Sequence, residues 1–254
     1  MLDDKPNHIR TDLSDGVLTV AIDRPEKKNA LTQAMYEGLT AALEQAQSDP
    51  EVRAVILTGA GGQFTAGNDL ADFVGAGPQK GPAAALALLH RAATLDVPLI
   101  AAVEGVAIGI GTTILLHCDI AVASSDARFK TPFIDLGLCP EGASSLLMPR
   151  MLGRSASVRF LMLGETVPAE EARAWGLLDA LDPDPLARAR ALAAEIASKP
   201  GEAMRATKRL MREAAGGAVV ETIDREARAF AERLASPEAQ AAFRAFFMKA
   251  AQKP

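Results

Sequence analysis

The chain has 254 residues with a formal net charge of −5, and 49% of the residues are hydrophobic. This composition is typical of a soluble globular protein with a sizeable core rather than of a disordered chain. The acidic balance excludes a general nucleic-acid-binding surface, which would need a basic stripe.

The predicted elements begin with a β-hairpin, in which residues 9–13 and 17–23 flank a turn at residues 14–16. Thr32 is placed to cap a helix. That helix has an apolar stripe at helical spacing, formed by Met35, Leu39, Leu43 and Ala46. The continuous apolar run 52–57 is typical of a strand that is covered on both faces.

The next segment, residues 75–82, is rich in glycine and proline and predicts a surface loop. Residues 83–95 are expected to form a helix and residues 98–103 a strand. Residues 119–123 predict another short buried strand, to which residues 128–131 are expected to add. This alternation of apolar strands and helices predicts a largely parallel α/β core.

The chain from Ser155 onward is predicted to be nearly all helix. Two late helices carry apolar stripes, formed by Val219, Val220, Ile223, Ala227, Phe230 and Leu234, and by Ala239, Phe243, Phe246, Phe247 and Ala250. Such faces suit packing on the chain's own core, and they equally suit docking onto a neighbouring subunit.

The central stretch is residues 101–119, where an apolar strand meets a glycine-containing turn and then an apolar segment without formal charge. We expect a buried helix that starts near Gly111, whose first N–H groups lack intrahelical partners. Gly109 and Gly111 would let a phosphate or the oxygen of a polarised carbonyl approach this backbone. Tight packing between strand and helix is the alternative explanation of the two glycines.

Several features bear on the compartment. The N-terminal segment has no apolar core, so we expect no secretory signal there. The uncharged run 105–118 is too short to span a bilayer. Cys118 and Cys139 lack C-x-x-C spacing, which favours free thiols in a reducing, cytoplasmic compartment.

Common cofactor and catalytic motifs do not match the sequence. Ile114 occupies the third glycine position of a dinucleotide fingerprint, and residues 59–67 lack the Gly-Lys-Ser/Thr ending of a P-loop. The histidines His8, His90 and His117 share no metal-ligand spacing. There is no G-x-S-x-G nucleophile elbow. We therefore expect no metal and no redox cofactor.

Three motifs together resemble the crotonase superfamily, or enoyl-CoA hydratase/isomerase family. They are Arg24-Pro25…Asn29-Ala30-Leu31, Phe64-Thr65-Ala66-Gly67-Asn68-Asp69-Leu70 and Val103-Glu104-Gly105-Val106-Ala107-Ile108-Gly109-Ile110-Gly111. The resemblance implies the α/β crotonase (ClpP-like) fold, a spiral of stacked β-β-α turns. It implies a core with an acyl-CoA site in residues 1–195. Residues 196–254 would form a C-terminal helical region that builds a homotrimer or a pair of trimers.

The resemblance also implies roles for individual residues. The backbone N–H groups of Asn68 and Ile110 would hold the thioester oxygen of an acyl-CoA, whose coenzyme A is part of the substrate. The implied substrate contacts are Lys27, Lys28, Ala30, Ala66, Asp69, Leu70, Gly109, Gly111, Phe133, Leu138 and Lys249. Lysines 27 and 28 would lie near the phosphates, with Lys249 reaching a phosphate across a subunit boundary. The loop 75–82 would border the acyl pocket.

The reaction depends on the acids and bases. By resemblance, hydratases use two glutamates, at positions where this chain has Thr113 and Phe133. Glu141 instead matches the single base of Δ3,Δ2-enoyl-CoA isomerases, and Phe133, Leu138 and Leu146 are expected to desolvate it and raise its pKa. The sequence therefore predicts an isomerase. Hydration of a 2-enoyl-CoA by Glu141 and a positioned water, and a non-catalytic acyl-CoA-binding protein, remain the alternatives.

Overall fold

The computed structural model describes residues 8–71, 77–214 and 217–251. Its strands are β1 Ile9–Ser14, β2 Val17–Ile22, β3 Ala54–Gly59, β4 Leu99–Val103, β5 Val106–Ile108, β6 Ile120–Ala123, β7 Arg128–Lys130, β8 Val167–Pro168 and β9 Ala180–Leu181. A large sheet has the order β1-β2-β3-β4-β6-β9, and a small sheet has the order β5-β7-β8. Apart from the β1–β2 hairpin, the pairs of the large sheet are parallel, as the alternation of elements predicted.

The α-helices are α1 Gln33–Ser48, α2 Gly77–Thr94, α3 Ile110–Thr113, α4 Ser144–Met151, α5 Arg154–Leu161, α6 Ala169–Trp175, α7 Pro185–Ala197, α8 Gly201–Glu213, α9 Ala218–Leu234 and α10 Pro237–Ala251. The predicted N-cap of α1 is confirmed, because the hydroxyl of Thr32 accepts a hydrogen bond from the N–H of Met35 at 3.4 Å. The predicted apolar stripe of α1 is buried.

Three successive segments follow one pattern, in which the chain runs through the large sheet, then the small sheet, then a helix. The first is β3, the bridge between Thr65 and Ala107, and α2; the second is β4, β5 and α3; the third is β6, β7 and α4. Backbone hydrogen bonds join neighbouring turns, from Ile108 N–H to Thr65 O at 3.0 Å and from Gly109 N–H to Lys130 O at 2.8 Å. These are the stacked β-β-α turns that were predicted.

The central strands are apolar along their whole length because both faces of the large sheet are covered. One face of β3 and β4 packs with α1 and α2 in the main core. The other face packs on α7, in a cluster formed by Ala54, Ile56, Ile100, Ala102, Ala189 and Ala193. The predicted strand 52–57 is thus present, shifted by two residues to Ala54–Gly59.

One predicted pairing is wrong. Residues 128–131 do not add to β6; β7 instead pairs with β5 and β8 in the small sheet. The cause is the turn after β6, where Ala127 N–H bonds Ser124 O and Arg128 N–H bonds Gly105 O at 2.8 Å. This turn carries the chain out of the large sheet before β7 begins.

Two further boundaries also differ from the predictions. Residues 77–82 belong to helix α2 rather than to a loop. Proline is compatible with position 78 because N–H groups in the first turn of a helix have no intrahelical partner. Residues 75 and 76 lie outside the described residues. The region after Ser155 contains the two-residue strands β8 and β9 besides its helices. Strands this short give no periodic signal in the sequence.

The last two helices pack on their own chain. Phe230 and Leu234 of α9 form a buried cluster with Ala239 and Phe243 of α10 and with Phe133, next to Leu138. Within the described residues, no helix combines the length and the apolar character needed to cross a bilayer.

Candidate active site

The first backbone turn presents the N–H of Asn68. Leu31 and Asn68 form a parallel bridge, in which Leu31 N–H donates to Gly67 O and Asp69 N–H donates to Leu31 O, both at 2.8 Å. Because successive N–H groups of an extended chain point to opposite sides, the N–H of Asn68 points away from Leu31. Within the described residues, no hydrogen-bond acceptor pairs with it.

The second turn presents the N–H of Ile110. Gly109 has φ +59° and ψ −119°, a conformation that favours glycine, and Ile110 then begins α3. The N–H groups of Thr112 and Thr113 bond to Gly109 O at 2.9 and 3.0 Å. The N–H of Ile110 precedes these helical hydrogen bonds in the chain and has no acceptor among the residues that the structure describes.

The two turns lie against each other. A Cβ atom on Gly67 would lie 2.6 Å from the carbonyl oxygen of Ile108, so only glycine allows this approach. A Cβ atom on Gly111 would lie 2.6 Å from the Cγ2 of Thr65. Gly111 is therefore explained by packing, the alternative that the sequence left open, and it does not line the cavity described below.

The helix expected to start near Gly111 is present, begins one residue earlier, and is short. Helix α3 spans only Ile110–Thr113 and continues as a 3-10 turn over Ile114–His117. Since the dipole of a helix comes from its aligned peptide units, so short a helix adds little to the two N–H groups themselves.

Tyr36, which the sequence analysis did not single out, anchors the side chain of Asn68. Its ring is fully buried in α1, and its hydroxyl donates a hydrogen bond to Asn68 Oδ1 at 2.5 Å. Burial, and then the nearby charge of Glu141, raise the pKa of Tyr36 well above its usual value. The hydroxyl therefore remains a donor.

Glu141 is buried beside helix α3, which follows the second turn, with 9% of its surface exposed. Burial raises the pKa of its carboxyl to about 7; the hydroxyl of Thr113, which donates to Oε1 at 3.2 Å, opposes the shift, and the charge of Glu226 adds to it. The predicted direction is confirmed, but Phe133, Leu138 and Leu146, the residues predicted to desolvate the carboxyl, do not line the space next to it. The space next to the carboxyl, about 20 Å³, is lined by residues of α2 and α9, namely Ala85, Leu86, Leu89, Ile223, Ala227 and Phe230, and by Gly142.

The turn that carries Glu141 is fixed by its neighbours. His117 is partly buried, and desolvation lowers its pKa to about 4, so the neutral ring donates from Nε2 to Gly142 O at 2.9 Å. The hydroxyl of Ser144 donates to the carbonyl oxygen of Glu141 at 2.6 Å. These bonds hold the backbone of Glu141 and Gly142 in place.

A larger cavity of about 890 Å³ opens next to Asn68. Of the residues predicted to contact a substrate, Lys27, Ala30, Ala66, Asp69, Leu70, Gly109, Phe133 and Leu138 line it, together with Phe230, Phe243, Phe246 and Phe247 from the C-terminal helices. Lys28, Ile110 and Glu141 are not among the lining residues. The side chain of Lys249 lies outside the described part of the structure. Phe230 lines both cavities, so the two spaces are neighbours across its ring.

The motif Arg24…Asn29 shapes the wall of this cavity. The side chain of Asn29 is buried and donates to Ala60 O and Gln63 O at 2.9 and 2.6 Å. Arg24 donates to Ala30 O and forms an ion pair with Asp69 at 2.8 Å. The motif therefore ties the 24–31 segment to the turn that carries Asn68.

Metal ligands do not cluster in the part of the chain described here, where no three His, Cys, Asp or Glu side chains are arranged to hold an ion. Cys118 and Cys139 are free thiols. Burial raises the pKa of both thiols, so neither is an activated nucleophile.

Comparisons with known proteins agree with this geometry. The family model described as enoyl-CoA hydratase/isomerase matches residues 12–253. The 1,2-epoxyphenylacetyl-CoA isomerase of Escherichia coli K12 is 37% identical over 194 residues, 73% of this chain and 74% of that protein. Enoyl-CoA delta isomerase 2 of Rattus norvegicus is 36% identical over 175 residues, 66% of this chain and 44% of that protein. Proteins whose names contain "enoyl-CoA hydratase" match as well.

A solved structure shows the same fold. The enoyl-CoA hydratase/isomerase from Pseudoalteromonas atlantica T6c superposes with a TM-score of 0.90 at 38% identity, covering 95% of this chain and 97% of that one. The order of strands and helices described above is thus a known architecture, including the C-terminal helices.

Proposed function

Because the chain belongs to the enoyl-CoA hydratase/isomerase (crotonase) family, whose members act on acyl-CoA thioesters, we propose that it is a Δ3,Δ2-enoyl-CoA isomerase. The observation that carries the proposal is Glu141, a buried carboxyl that accepts a hydrogen bond from Thr113 in the helix after the Ile110 turn and has its pKa raised to about 7. A general base is most useful when its pKa lies near the working pH.

The proposed reaction moves one proton. Glu141 takes a proton from C2 of a 3-enoyl-CoA, and the negative charge spreads over a dienolate that ends at the thioester oxygen. The N–H groups of Asn68 and Ile110 stabilise that oxygen, and losing one such donor typically costs about 10²–10³ in rate. Glu141 then returns the proton to C4. No electrons leave the substrate, so the proposed step requires neither a metal nor a redox cofactor.

The residues at positions 113 and 133 favour isomerisation over the hydration mechanism, which uses two carboxylates. Thr113 and Phe133 occupy the positions where the resemblance places the glutamates of hydratases. The hydroxyl of Thr113 donates a hydrogen bond to Glu141, and Phe133 packs edge-on against Phe230 with ring centroids 6.3 Å apart. Neither side chain exchanges a proton near neutral pH.

Incubation with 3-hexenoyl-CoA tests the proposal. We expect the wild-type protein to form conjugated 2-hexenoyl-CoA, seen by its absorbance, and Glu141→Gln to lose this activity by about 10³-fold or more because the amide cannot accept the proton. The matched control is Glu170→Gln, an exposed glutamate in the first turn of α6, which should behave as wild type. Equal rates for Glu141→Gln and wild type would exclude Glu141 as the base.

Hydration is the second candidate, and one observation favours it. The space of about 20 Å³ next to Glu141 is large enough for one water molecule. A water held there by Glu141 could add to the double bond of a 2-enoyl-CoA. Crotonyl-CoA separates the two reactions, because rapid hydration of this substrate, abolished in Glu141→Gln, would identify a hydratase.

A further inference from the structure

We propose that Glu226, on helix α9, is a positioning residue for Glu141: it holds the turn that carries Glu141 through Ser145 and places a second buried carboxyl beside the base. The inference rests on the proposed role of Glu141 and adds a residue that no sequence motif indicates.

The contact between Glu226 and Ser145 is well defined. Glu226 is 6% exposed, and its Oε1 accepts hydrogen bonds from the N–H of Ser145, at 2.9 Å, and from the Ser145 hydroxyl. Ser145 is the second residue of α4, where an N–H has no intrahelical partner. The N-cap residue of α4 is Ala143, which has no side-chain acceptor. Glu226 therefore supplies, from another helix, the cap that the local sequence lacks.

This cap acts on the backbone of Glu141. The neighbouring residue Ser144 donates both its N–H, at 3.1 Å, and its hydroxyl, at 2.6 Å, to the carbonyl oxygen of Glu141. Holding Ser145 in place therefore also holds Ser144, which makes both hydrogen bonds to Glu141. A movement of α9 would be transmitted to the base through two consecutive serines.

The same face of α9 also encloses the Glu141 carboxyl. Ile223 and Phe230 lie one helical turn on either side of Glu226, and together with Ala227, the next residue along the helix, they line the small cavity beside Glu141. One helix thus excludes water from the base with its apolar side chains and carries Glu226 on the same face as Ile223 and Phe230.

The carboxyl of Glu226 does more than cap the helix. A charged carboxylate accepts the bonds from Ser145 more strongly than a neutral amide would, and its second oxygen, Oε2, is buried without a hydrogen-bond partner among the described residues. Leaving such an oxygen unpaired is costly. The effect of Glu226 on Glu141 is electrostatic, since two buried carboxyls close enough to interact oppose each other's ionisation.

The groups around Glu226 and Glu141 determine how each carboxyl changes the pKa of the other. Burial raises the pKa of Glu226, and the donors of Ser145, the nearby N–H of Ala143 and the charge of Arg225 oppose this shift. Glu141 has a single donor, Thr113, and the charge of Glu226 raises its pKa beyond the effect of burial. Besides these groups, the hydroxyl of Tyr36 and the thiol of Cys139 lie close enough to interact with Glu141.

Two substitutions separate the effect of the charge of Glu226 from the effect of the length of its side chain. Glu226→Gln keeps the acceptor for Ser145 and removes the charge, whereas Glu226→Asp keeps the charge on a shorter side chain. The readout is infrared titration of the Glu141 carboxyl, assigned by the band that disappears in Glu141→Gln. The control is Glu232→Gln, an exposed glutamate on the same helix.

We expect Glu141 to ionise at lower pH in Glu226→Gln than in wild type, at higher pH in Glu226→Asp than in Glu226→Gln, and unchanged in Glu232→Gln. An unchanged titration in Glu226→Gln, or identical titrations in the Gln and Asp variants, would overturn the proposal. Because this readout needs no substrate, it stays valid if the wild-type protein fails to isomerise 3-hexenoyl-CoA, the result that would refute the proposed function instead.

A second readout uses turnover. In Glu226→Gln, activity at about pH 6 relative to the plateau at about pH 8 should increase, because more Glu141 is ionised at the lower pH. A merely structural role would lower activity by the same factor at both pH values and would contradict the proposal.

Discussion

The hydroxyl of Tyr36 donates a hydrogen bond to the side-chain oxygen of Asn68, so that a buried residue of helix α1 fixes the residue whose backbone N–H faces the site. The two residues come from different elements, and their contact joins α1 to the first backbone turn. In the proposed oxyanion site, a side-chain hydrogen bond therefore stabilises the residue that provides one of the two backbone donors.

Tyr36→Phe should therefore lower catalysis more than substrate binding. The substitution leaves Asn68 Oδ1 buried without its donor, which costs about 1–3 kcal/mol, and it loosens the turn that holds the N–H. We expect kcat for 3-hexenoyl-CoA to fall about tenfold while KM changes less. Tyr36→Phe with wild-type kcat would show that the hydrogen bond does not position Asn68.

The raised pKa of Glu141 makes the stability of the protein depend on pH. The carboxyl has its ordinary pKa of 4.5 in the unfolded chain and about 7 in the folded one. Because the folded state holds the proton more tightly, this group's contribution to stability is fully present below pH 4.5 and is lost as the pH rises to about 7.

Denaturant unfolding of wild type and Glu141→Gln at several pH values measures this contribution. The glutamine does not titrate, so the free energy of unfolding of wild type relative to the variant should fall by up to about 3 kcal/mol between about pH 4 and pH 8. A constant difference across this range would mean that Glu141 ionises as it does in water.

Gly67 and Gly109 differ in what an added methyl group would meet. Both have positive φ, +83° and +59°, and a side chain there costs about 1 kcal/mol of backbone strain. At Gly67 the Cβ would also lie 2.6 Å from the backbone oxygen of Ile108, whereas at Gly109 nothing lies within 4 Å.

We therefore expect Gly67→Ala to be the more damaging substitution. It should push the Asn68 turn away from the Ile110 turn, lowering both the melting temperature and kcat, whereas Gly109→Ala should lower stability by about 1 kcal/mol. Thermal unfolding and turnover of the two variants measure this difference. Equal losses in both would show that strain alone, and not the contact between the turns, matters at Gly67.

Features with a local signal could be predicted from the sequence. The β-hairpin follows from two apolar runs around a short turn, and α1 follows from the Thr32 cap and its apolar stripe. Strand β3 is apolar throughout because helices cover both of its faces. In each case the residues that determine the element are close together in the chain.

Tyr36 and Glu226 escaped the sequence analysis because their partners are distant in the chain. Tyr36 bonds to Asn68 and Glu226 to Ser145, and neither pair has a spacing that a single sequence reveals. An acidic residue in the middle of the apolar stripe of α9 was the one available signal for Glu226. The pairing of β7 was missed for the same reason, since a three-residue strand does not indicate which sheet it joins.

Phe230 lies at the contact between the two cavities, with 4% of its surface exposed and its ring edge-on to Phe133. Phe230→Ala should join the space beside Glu141 to the large cavity. The loss of a buried phenyl ring costs about 3–5 kcal/mol of stability, so the variant is best assayed at low temperature.

The specific expectation for Phe230→Ala is a change in substrate preference. The ratio of kcat/KM for a branched or longer 3-enoyl-CoA to that for 3-hexenoyl-CoA should rise, because an acyl chain can occupy the space that the ring fills. Phe247→Ala is the matched control, since Phe247 lines the large cavity but not the space beside Glu141. If both variants change the ratio equally, the ring of Phe230 does not limit the acyl chain at Glu141, and the limit lies in the large cavity instead.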